Sequence, residues 1–314
     1  MPQPHHSQMV TDVPLTNVSV AYMQDESSFV FNKVFPVVPT DKETGKFYVY
    51  TKNDWFRDEA QRRGRAQESA GSGYGLSTSS YNCEQFAIHK MVPWEDYSNA
   101  DPALDPAADA ARFVTQRLML RKEIQFASDF MTTSVWATDA TPSSLWSDYA
   151  ASDPLSDIET GCDTVFNTTG LEANTLLLSR PVFRKLRRHP ALLEIGKQTT
   201  PLSEADLAKC LDIERVIVAK GLKATNVEGE TAAYDRIFGK HALLLHVAKS
   251  PGLYTPSAGY VFSYRNPANP TGADISIEKI ENRDKKADKI EGQVGFDCKA
   301  VATDLGYFFN GAIA

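Results

Sequence analysis

The chain has 314 residues, 42% of them hydrophobic and 23% charged, an ordinary globular composition that excludes a disordered or fibrous protein and allows one large domain or two smaller ones. With 40 acidic against 33 basic residues the net charge is -7, the wrong sign for a protein whose main task is to grip phosphates. No apolar run approaches the roughly 20 residues needed to cross a bilayer. The polar start, with Pro2, Pro4, His5 and His6, lacks the basic and apolar blocks of a signal peptide, so the chain is expected in the cytoplasm where it is made, without a membrane anchor.

The first 45 or so residues carry scattered apolar positions, Val18, Val20, Tyr22, Phe29, Val30, Phe31 and Val34, with no sustained helical period. They end in Val34-Phe-Pro-Val-Val-Pro39, whose prolines force an extended course. Such an arm has little core of its own and is expected to lie on the body of the protein or on a neighbouring chain. A strand is predicted over 47–51, and 81–92 contains a second extended stretch around Phe86-Ala-Ile88. Between them runs an insert with four arginines (Arg57, Arg62, Arg63, Arg65) and four glycines and almost nothing to bury. A long hairpin with that tip needs an external surface to dock on, because an isolated two-stranded hairpin is marginal in water.

Asp101-Pro102 and Asp105-Pro106 each place a capping carboxylate before a proline suited to the first helical position. Downstream, Ala107, Ala111, Val114, Leu118, Ile124, Ala127 and Met131 recur mostly at steps of three and four, interrupted near Arg121, and predict a helix of about 25 residues. After Thr141-Pro142 shorter helices alternate with strands. Asp153-Pro154 caps a helix with Leu155, Ile158, Cys162, Val165 and Phe166 inward, ended by 167–170, and a strand follows over 175–179. The stretch 181–189 is a short helix ended by Pro190, with Val182, Phe183 and Leu186 inward and Arg184, Lys185, Arg187 and Arg188 outward. Ser203 to Asp206 approximates a capping box, and strands are predicted at 215–219, 241–247 and 259–264. From 274 to 300 two long extended runs flank a charged turn at 282–286. The apolar piece at 306–310 must pack on something. There is no internal repeat.

Enzyme chemistry needs convergent polar groups, and the usual spacings are missing. There is no GxSxG elbow, HExxH, P-loop or dinucleotide fingerprint, and Gly71, Gly73 and Gly75 open no helix. Cys83, Cys162, Cys210 and Cys298 lie far apart with no CxxC pair, which fits a reducing interior and indicates no zinc knuckle. His241 and His246, five residues apart on one strand, face opposite ways and make a poor metal pair. Cys83 and His89 differ in facing too, and no third group is evident to orient them as nucleophile and base. No catalytic, cofactor-binding or metal residue is therefore expected. Two basic clusters remain, at 57–65 and 184–188. Each is read either as a solvated face or as a source of ion pairs to acidic residues of a neighbouring subunit.

The order of pieces resembles the major capsid proteins of tailed bacteriophages, whose shell fold herpesviruses share, over almost the whole chain from about Val18. Arg63-Gly-Arg-Ala66, Ser72-Gly-Tyr74 and Tyr81-Asn-Cys-Glu84 look like that family's extended loop and its returning strand. The stretch from Phe113 to Ile124 looks like its spine helix. Leu145-Trp-Ser-Asp-Tyr149 with Ser152-Asp-Pro154 is similar to the lead into its axial domain. The most specific piece is Asn174-Thr-Leu-Leu-Leu-Ser-Arg-Pro-Val-Phe-Arg-Lys-Leu-Arg-Arg-His-Pro190, a strand, a proline-begun helix and a His-Pro stop typical of one large branch. The stretches 207–221, 241–247 and 254–264 fall where that branch has its next helix and strands.

The resemblance implies an α+β fold in five parts: an N-terminal arm (1–45), an extended hairpin loop (46–92), a peripheral domain with the long spine helix (93–140), an axial domain (141–270) and peripheral terminal strands (271–314). It implies a structural protein and no enzyme: a shell of hexamers and pentamers around packaged double-stranded DNA held without specific binding, found in the virion and assembled in the host cytoplasm. The expected partners are copies of itself, a separate scaffolding protein, a portal and a decoration protein. Arg57, Arg62, Arg63 and Arg65, with Arg184, Arg187 and Arg188, are the expected intersubunit contacts. Some relatives cross-link neighbours through a lysine, but no lysine lies between Asn53 and Tyr81. The alternative is an encapsulin-like compartment of the same fold that encloses cargo enzymes.

Overall fold

The computed structural model describes residues 24–50, 52–100, 104–197, 200–227, 229–252, 254–265 and 275–314. Val18, Val20 and Tyr22 of the expected arm, the Asp101-Pro102 step and 266–274 lie outside them. The described part of the arm carries one helical turn, α1 (Phe31–Val34), and then β1 (Val37–Thr40). The hairpin follows, with β2 (Thr44–Tyr50) antiparallel to β3 (Leu76–Asn82). Between its strands lie α2 (Lys52–Trp55) and an exposed stretch, 56–75, with no further helix or strand. The extended stretch expected around 86–88 is present, but it is parted from the hairpin by a break at Cys83. There the thiol is buried and the Asn82 N–H donates to the Asp297 carboxylate at 2.7 Å, so that β4 (Glu84–Pro93) turns away from the hairpin into a separate sheet.

A short helix, α3 (Trp94–Asn99), leads to α4 (Pro106–Phe130), which has the expected 25 residues. The Asp105 carboxylate accepts from the Ala107 and Ala108 amides at 3.0 and 3.2 Å, and Pro106 occupies the first turn. Its buried face is Ala110, Val114, Leu118, Lys122, Glu123, Phe126, Ala127 and Phe130. Ile124, expected inward, is displaced from this face by two charged residues, for a reason given below. The helix lies across the carboxyl-terminal strands at Gly292, where a Cβ would come within 2.4 Å of Val114 Cγ1 and 2.9 Å of Leu118 Cδ1.

The remaining elements are β5 (Thr138–Ala140), α5 (Pro154–Thr169), β6 (Thr175–Ser179), α6 (Arg180–Leu186), α7 (Pro190–Ile195), α8 (Glu204–Cys210), β7 (Arg215–Ala219), β8 (Leu222–Ala224), β9 (Tyr234–Arg236), β10 (Ala242–Leu245), β11 (Gly259–Tyr264), β12 (Ser276–Asn282), β13 (Ala287–Ala300) and β14 (Gly306–Phe309). Local signals account for several ends. Asp153 caps α5, Gly170 closes it with φ of 69°, and Ser203 and Asp206 form a reciprocal capping box on α8. Pro190 does more than stop α6, since it opens α7 in turn. Phe166, expected inward on α5, is 48% exposed, while the small Gly161 takes the inner face against Leu244, Tyr307 and Phe309.

Two five-stranded sheets organise these pieces. In the first, β13 is central: β4 pairs along one edge, and β12 and then β11 along the other, with β1 parallel to β11. The second runs β5-β14-β10-β6-β7. Its strands β6, β10 and β14 are buried at every position, as runs such as Leu176-Leu-Leu178 require of a sheet covered on both faces. Sheet membership departs from sequence order in two places. The 259–264 strand, expected with the axial segment, joins the first sheet, and the final 306–309 strand joins the second.

The arm is held by charge buried among rings. Glu123, fully buried, accepts from the Val30 amide at 3.0 Å with both oxygens and from the Phe31 amide at 3.0 Å, satisfying the free N–H groups that open α1. At the other end the Arg215 guanidinium, from β7, donates to the Lys33 and Val34 carbonyls at 3.2 and 3.1 Å and to Thr175 Oγ1 at 2.8 Å. A carboxylate at the amino end and a cation at the carboxyl end are the signs a helix favours. Lys122 donates to Asn32 Oδ1 at 3.1 Å and sits 4.2 Å from the centre of the Phe31 ring. Phe31 and Phe35 then pack on Phe126, Phe130 and Phe296. Of the two places expected for the arm, residues 29–35 take the first, in the body's own core.

Burial pushes Glu123 up to about 7, while the two amides, Lys33 and Lys122 pull it back. A folded-state value above the unfolded one favours the folded chain at low pH, and that contribution is lost as pH rises from about 4.5 through about 7. Thermal unfolding between pH 5 and 8 should show wild type losing ground to Glu123→Gln as pH increases. Glu123→Ala leaves two buried amides unpaired and should cost about 2–4 kcal/mol, with faster hydrogen exchange over 29–35. Gly292→Val should cost about 1–3 kcal/mol through overpacking under α4, read as a lower denaturant midpoint.

Candidate assembly surfaces

The hairpin insert exposes what its composition could not bury. Every residue from 60 to 80 is exposed, and the arginines of the tip are nearly without acidic partners. Arg57 reaches Glu59 at 3.8 Å, and no ion pair is made by Arg62, Arg63 or Arg65 among the described residues. The tip also presents large apolar groups that the sequence reading passed over. Tyr48 is 63% exposed, Trp55 58%, Phe56 66% and Tyr74 61%. Alternation along β2 was the available signal for Tyr48, while Trp55, Phe56 and Tyr74 lie off the strands and no periodicity marks them. Tyr50, Trp55, Tyr74 and Tyr254 stack together with ring centres 5.1 to 6.4 Å apart. A hydrogen bond to Tyr254 raises the Tyr50 phenol to about 12. Tryptophan, tyrosine and arginine together are the residues that dominate protein–protein hot spots.

The base of the hairpin is seated on its own chain. Phe262 stacks on Tyr81 at 4.5 Å and Phe47 at 5.6 Å, and Lys52 pairs with Asp304 at 2.5 Å. Part of the docking surface expected from outside is thus supplied from within, and the tip is what remains free.

The second basic cluster lies on α6 and the turn after it. Arg184 and Arg188 are exposed, while Arg187 stacks its guanidinium 5.6 Å from the Phe183 ring. No ion pair or hydrogen bond joins this cluster to the tip arginines among the described residues. The cluster borders a cavity of about 170 Å³ at the carboxyl ends of the parallel strands β6 and β7.

Groups with chemical potential elsewhere are tied to structural duties. Cys83 is buried beside Thr40 and the Phe262 carbonyl, and burial pushes its thiol up to about 11, as it does Cys162. Cys298 is pushed up further for the same reason. Such thiols are poor nucleophiles. His241 accepts from the Gly311 amide at 3.1 Å, and His246 Nδ1 lies 2.6 Å from the Glu172 carbonyl, so the two serve opposite ends of β10. One Ser–His pair escaped the sequence search: Ser152 Oγ lies 3.1 Å from His189 Nε2. His189 is buried against Tyr149 and its Nδ1 has no hydrogen-bond partner, so nothing orients it as a base. Among the described residues there is no cluster of metal-ligating side chains and no helix long and apolar enough to cross a membrane.

No family model matches the chain. A major capsid protein of Burkholderia phage BcepMu is 24% identical over 313 residues, covering 96% of each chain. Among solved structures, a phage-related protein from Bordetella bronchiseptica RB50 superposes with a TM-score of 0.70 at 21% identity, over 97% of this chain and 98% of the other. The capsid of cyanophage P-SCSP1u gives 0.62 at 10% identity, over 95% and 91%. The likeness runs from end to end, and the fold is that of phage capsid proteins.

Proposed function

We infer that this chain, which carries the tailed-phage capsid fold, is a major capsid protein: a structural, non-enzymatic subunit that associates with copies of itself into the shell of a virion. The observation that carries the reading is that the likeness to a phage major capsid protein spans nearly the whole chain, including the exposed insert that has no role in this chain's own core. A segment of that kind is kept for what it touches outside.

The finer reading follows from the same features. Hexamers and pentamers form through repeated head-to-tail contacts whose rotation closes into rings. The lobe built on the second sheet, β5-β14-β10-β6-β7, sits at capsomer centres, the spine helix α4 and strands β11, β12 and β13 form the periphery, and the hairpin tip and amino-terminal residues reach adjacent subunits. The tip arginines, with Arg184, Arg187 and Arg188, pair with acidic residues of the neighbour, which the surplus of 40 acidic over 33 basic residues can supply. Assembly in the host cytoplasm proceeds with a separate scaffolding protein and a portal, a decoration protein adds to the outside, and the enclosed double-stranded DNA is held without specific contacts, consistent with the net charge of -7.

Negative-stain microscopy of the purified protein, with sedimentation on the same sample, should show capsomer rings or closed icosahedral particles. A chain that stays monomeric even with its scaffold would end the shell reading, and particles holding enzymes in place of DNA would move it to a cargo compartment. Replacing Arg57, Arg62, Arg63 and Arg65 together by alanine should reduce particle yield and salt resistance while circular dichroism and thermal midpoint stay within about 0.5 kcal/mol of wild type. Unchanged particles would remove the tip arginines from the interface.

A further inference from the structure

The cavity at the ends of β6 and β7 is cationic beyond what this chain's own fold requires. Its lining brings together Ser179, Arg180, Arg184, Lys220 and Arg236 over an apolar wall and includes no carboxylate. Lys220 is engaged by Glu204 at 3.6 Å. Arg180, Arg184 and Arg236 make no ion pair within the chain among the described residues. Ser179 is 1% exposed, lines the same cavity, and its Oγ has no hydrogen-bond partner. A buried hydroxyl without a partner costs about 1–3 kcal/mol, and three guanidiniums around one hollow repel one another. Both costs fall when an anion with acceptor oxygens enters.

We propose that this cavity is a binding site for a carboxylate side chain, Asp or Glu, presented by a neighbouring copy of the same chain. This rests on the shell reading and names one of its contacts. The walls choose the ligand class: Pro181, Leu222 and Phe238 offer an apolar lining for the methylenes of a side chain, and the guanidiniums offer bidentate donors for its carboxylate. A phosphodiester has no stem to use the apolar walls. A volume of about 170 Å³ holds an acidic side chain with a few waters. The complementary charge is on the same lobe. Helix α5 carries Asp157, Glu159 and Asp163 and no lysine or arginine. Asp163, Glu159, Glu172 and Asp212 all act on the Cys162 thiol, and Glu172 and Asp212 precede the amino ends of β6 and β7, opposite the cavity. Basic and acidic ends of one lobe meeting head to tail give a heterologous contact that closes a ring.

The test uses assembled particles made from equal amounts of nitrogen-14 and nitrogen-15 chains, with a benzophenone amino acid replacing Leu222 on the cavity wall. Irradiation and mass spectrometry should yield cross-links of mixed isotope, joining position 222 to a segment bearing Asp or Glu. Cross-links confined to single chains, or made to nucleic acid, would overturn the proposal. In parallel, Arg180→Gln, Arg184→Gln and Arg236→Gln combined should lower the salt concentration that dissociates half the particles by a factor on the order of two. The lysine versions of the same three should restore part of it, with the thermal midpoint of the unassembled chain checked for each. If wild type closes shells and the glutamine variant resists salt equally well, the cavity has no such role and the shell reading stands. If wild type forms no shell under any condition, both fall together.

Discussion

A carboxylate with no access to water fixes the position of the amino-terminal segment, and much else is arranged around it. Glu123 ends the free amides of α1, Arg215 ends its carbonyls, and the one-turn helix between them carries Phe31 and Phe35 into the rings of α4 and β13. Because Arg215 belongs to the second sheet and Glu123 to the helix over the first, the same seven residues of arm bind both lobes to one another. Remove the arm and Glu123 is left as a buried carboxylate stripped of the two amides that solvate it, a costly state. The arm is therefore part of the body's core over 29–35, and β1 then continues it along the sheet edge beside β11.

That arrangement explains which parts of the fold could be read from the residues. Helix starts and stops were legible because capping is local: Asp105, Asp153 and the Ser203–Asp206 box each act within three residues. The strand at 175–179, with its unbroken Leu176-Leu-Leu178 run, was legible for a similar reason. The inward face of α4 was misjudged at Ile124 because a pattern rule sends Lys122 and Glu123 to solvent, and only the arm, some ninety residues away in sequence, gives them a buried use. Sheet membership of 259–264 and 306–309 was hidden too, since which strands pair depends on long-range register that no local signal carries.

The assembly surfaces divide along the same line. The arginines at 57–65 were visible as a charged, glycine-rich stretch with nothing to bury, and the resemblance to capsid proteins supplied the expectation that they meet a neighbour. The aromatic groups beside them, Trp55 and Tyr74 above all, look like core residues in a sequence and prove exposed only when the stretch between the two hairpin strands is seen to pack on so little. The cavity under Arg184 draws on four separate segments, 179–184, 219–222, 236 and 238, so its cations converge only once β6 and β7 lie parallel.

The length of β13 has a mechanical side. Its 14 residues span about 45 Å, with β4 bonded along one edge and β12 and β11 sharing the other. A pull along this strand loads its flanking hydrogen bonds together, in shear, instead of opening them one after another as in unzipping a hairpin. Under tension along its length, a strand of this kind acts as a tie rod through the sheet. At Gly292, where α4 lies directly on it, any sideways displacement of the rod meets the helix.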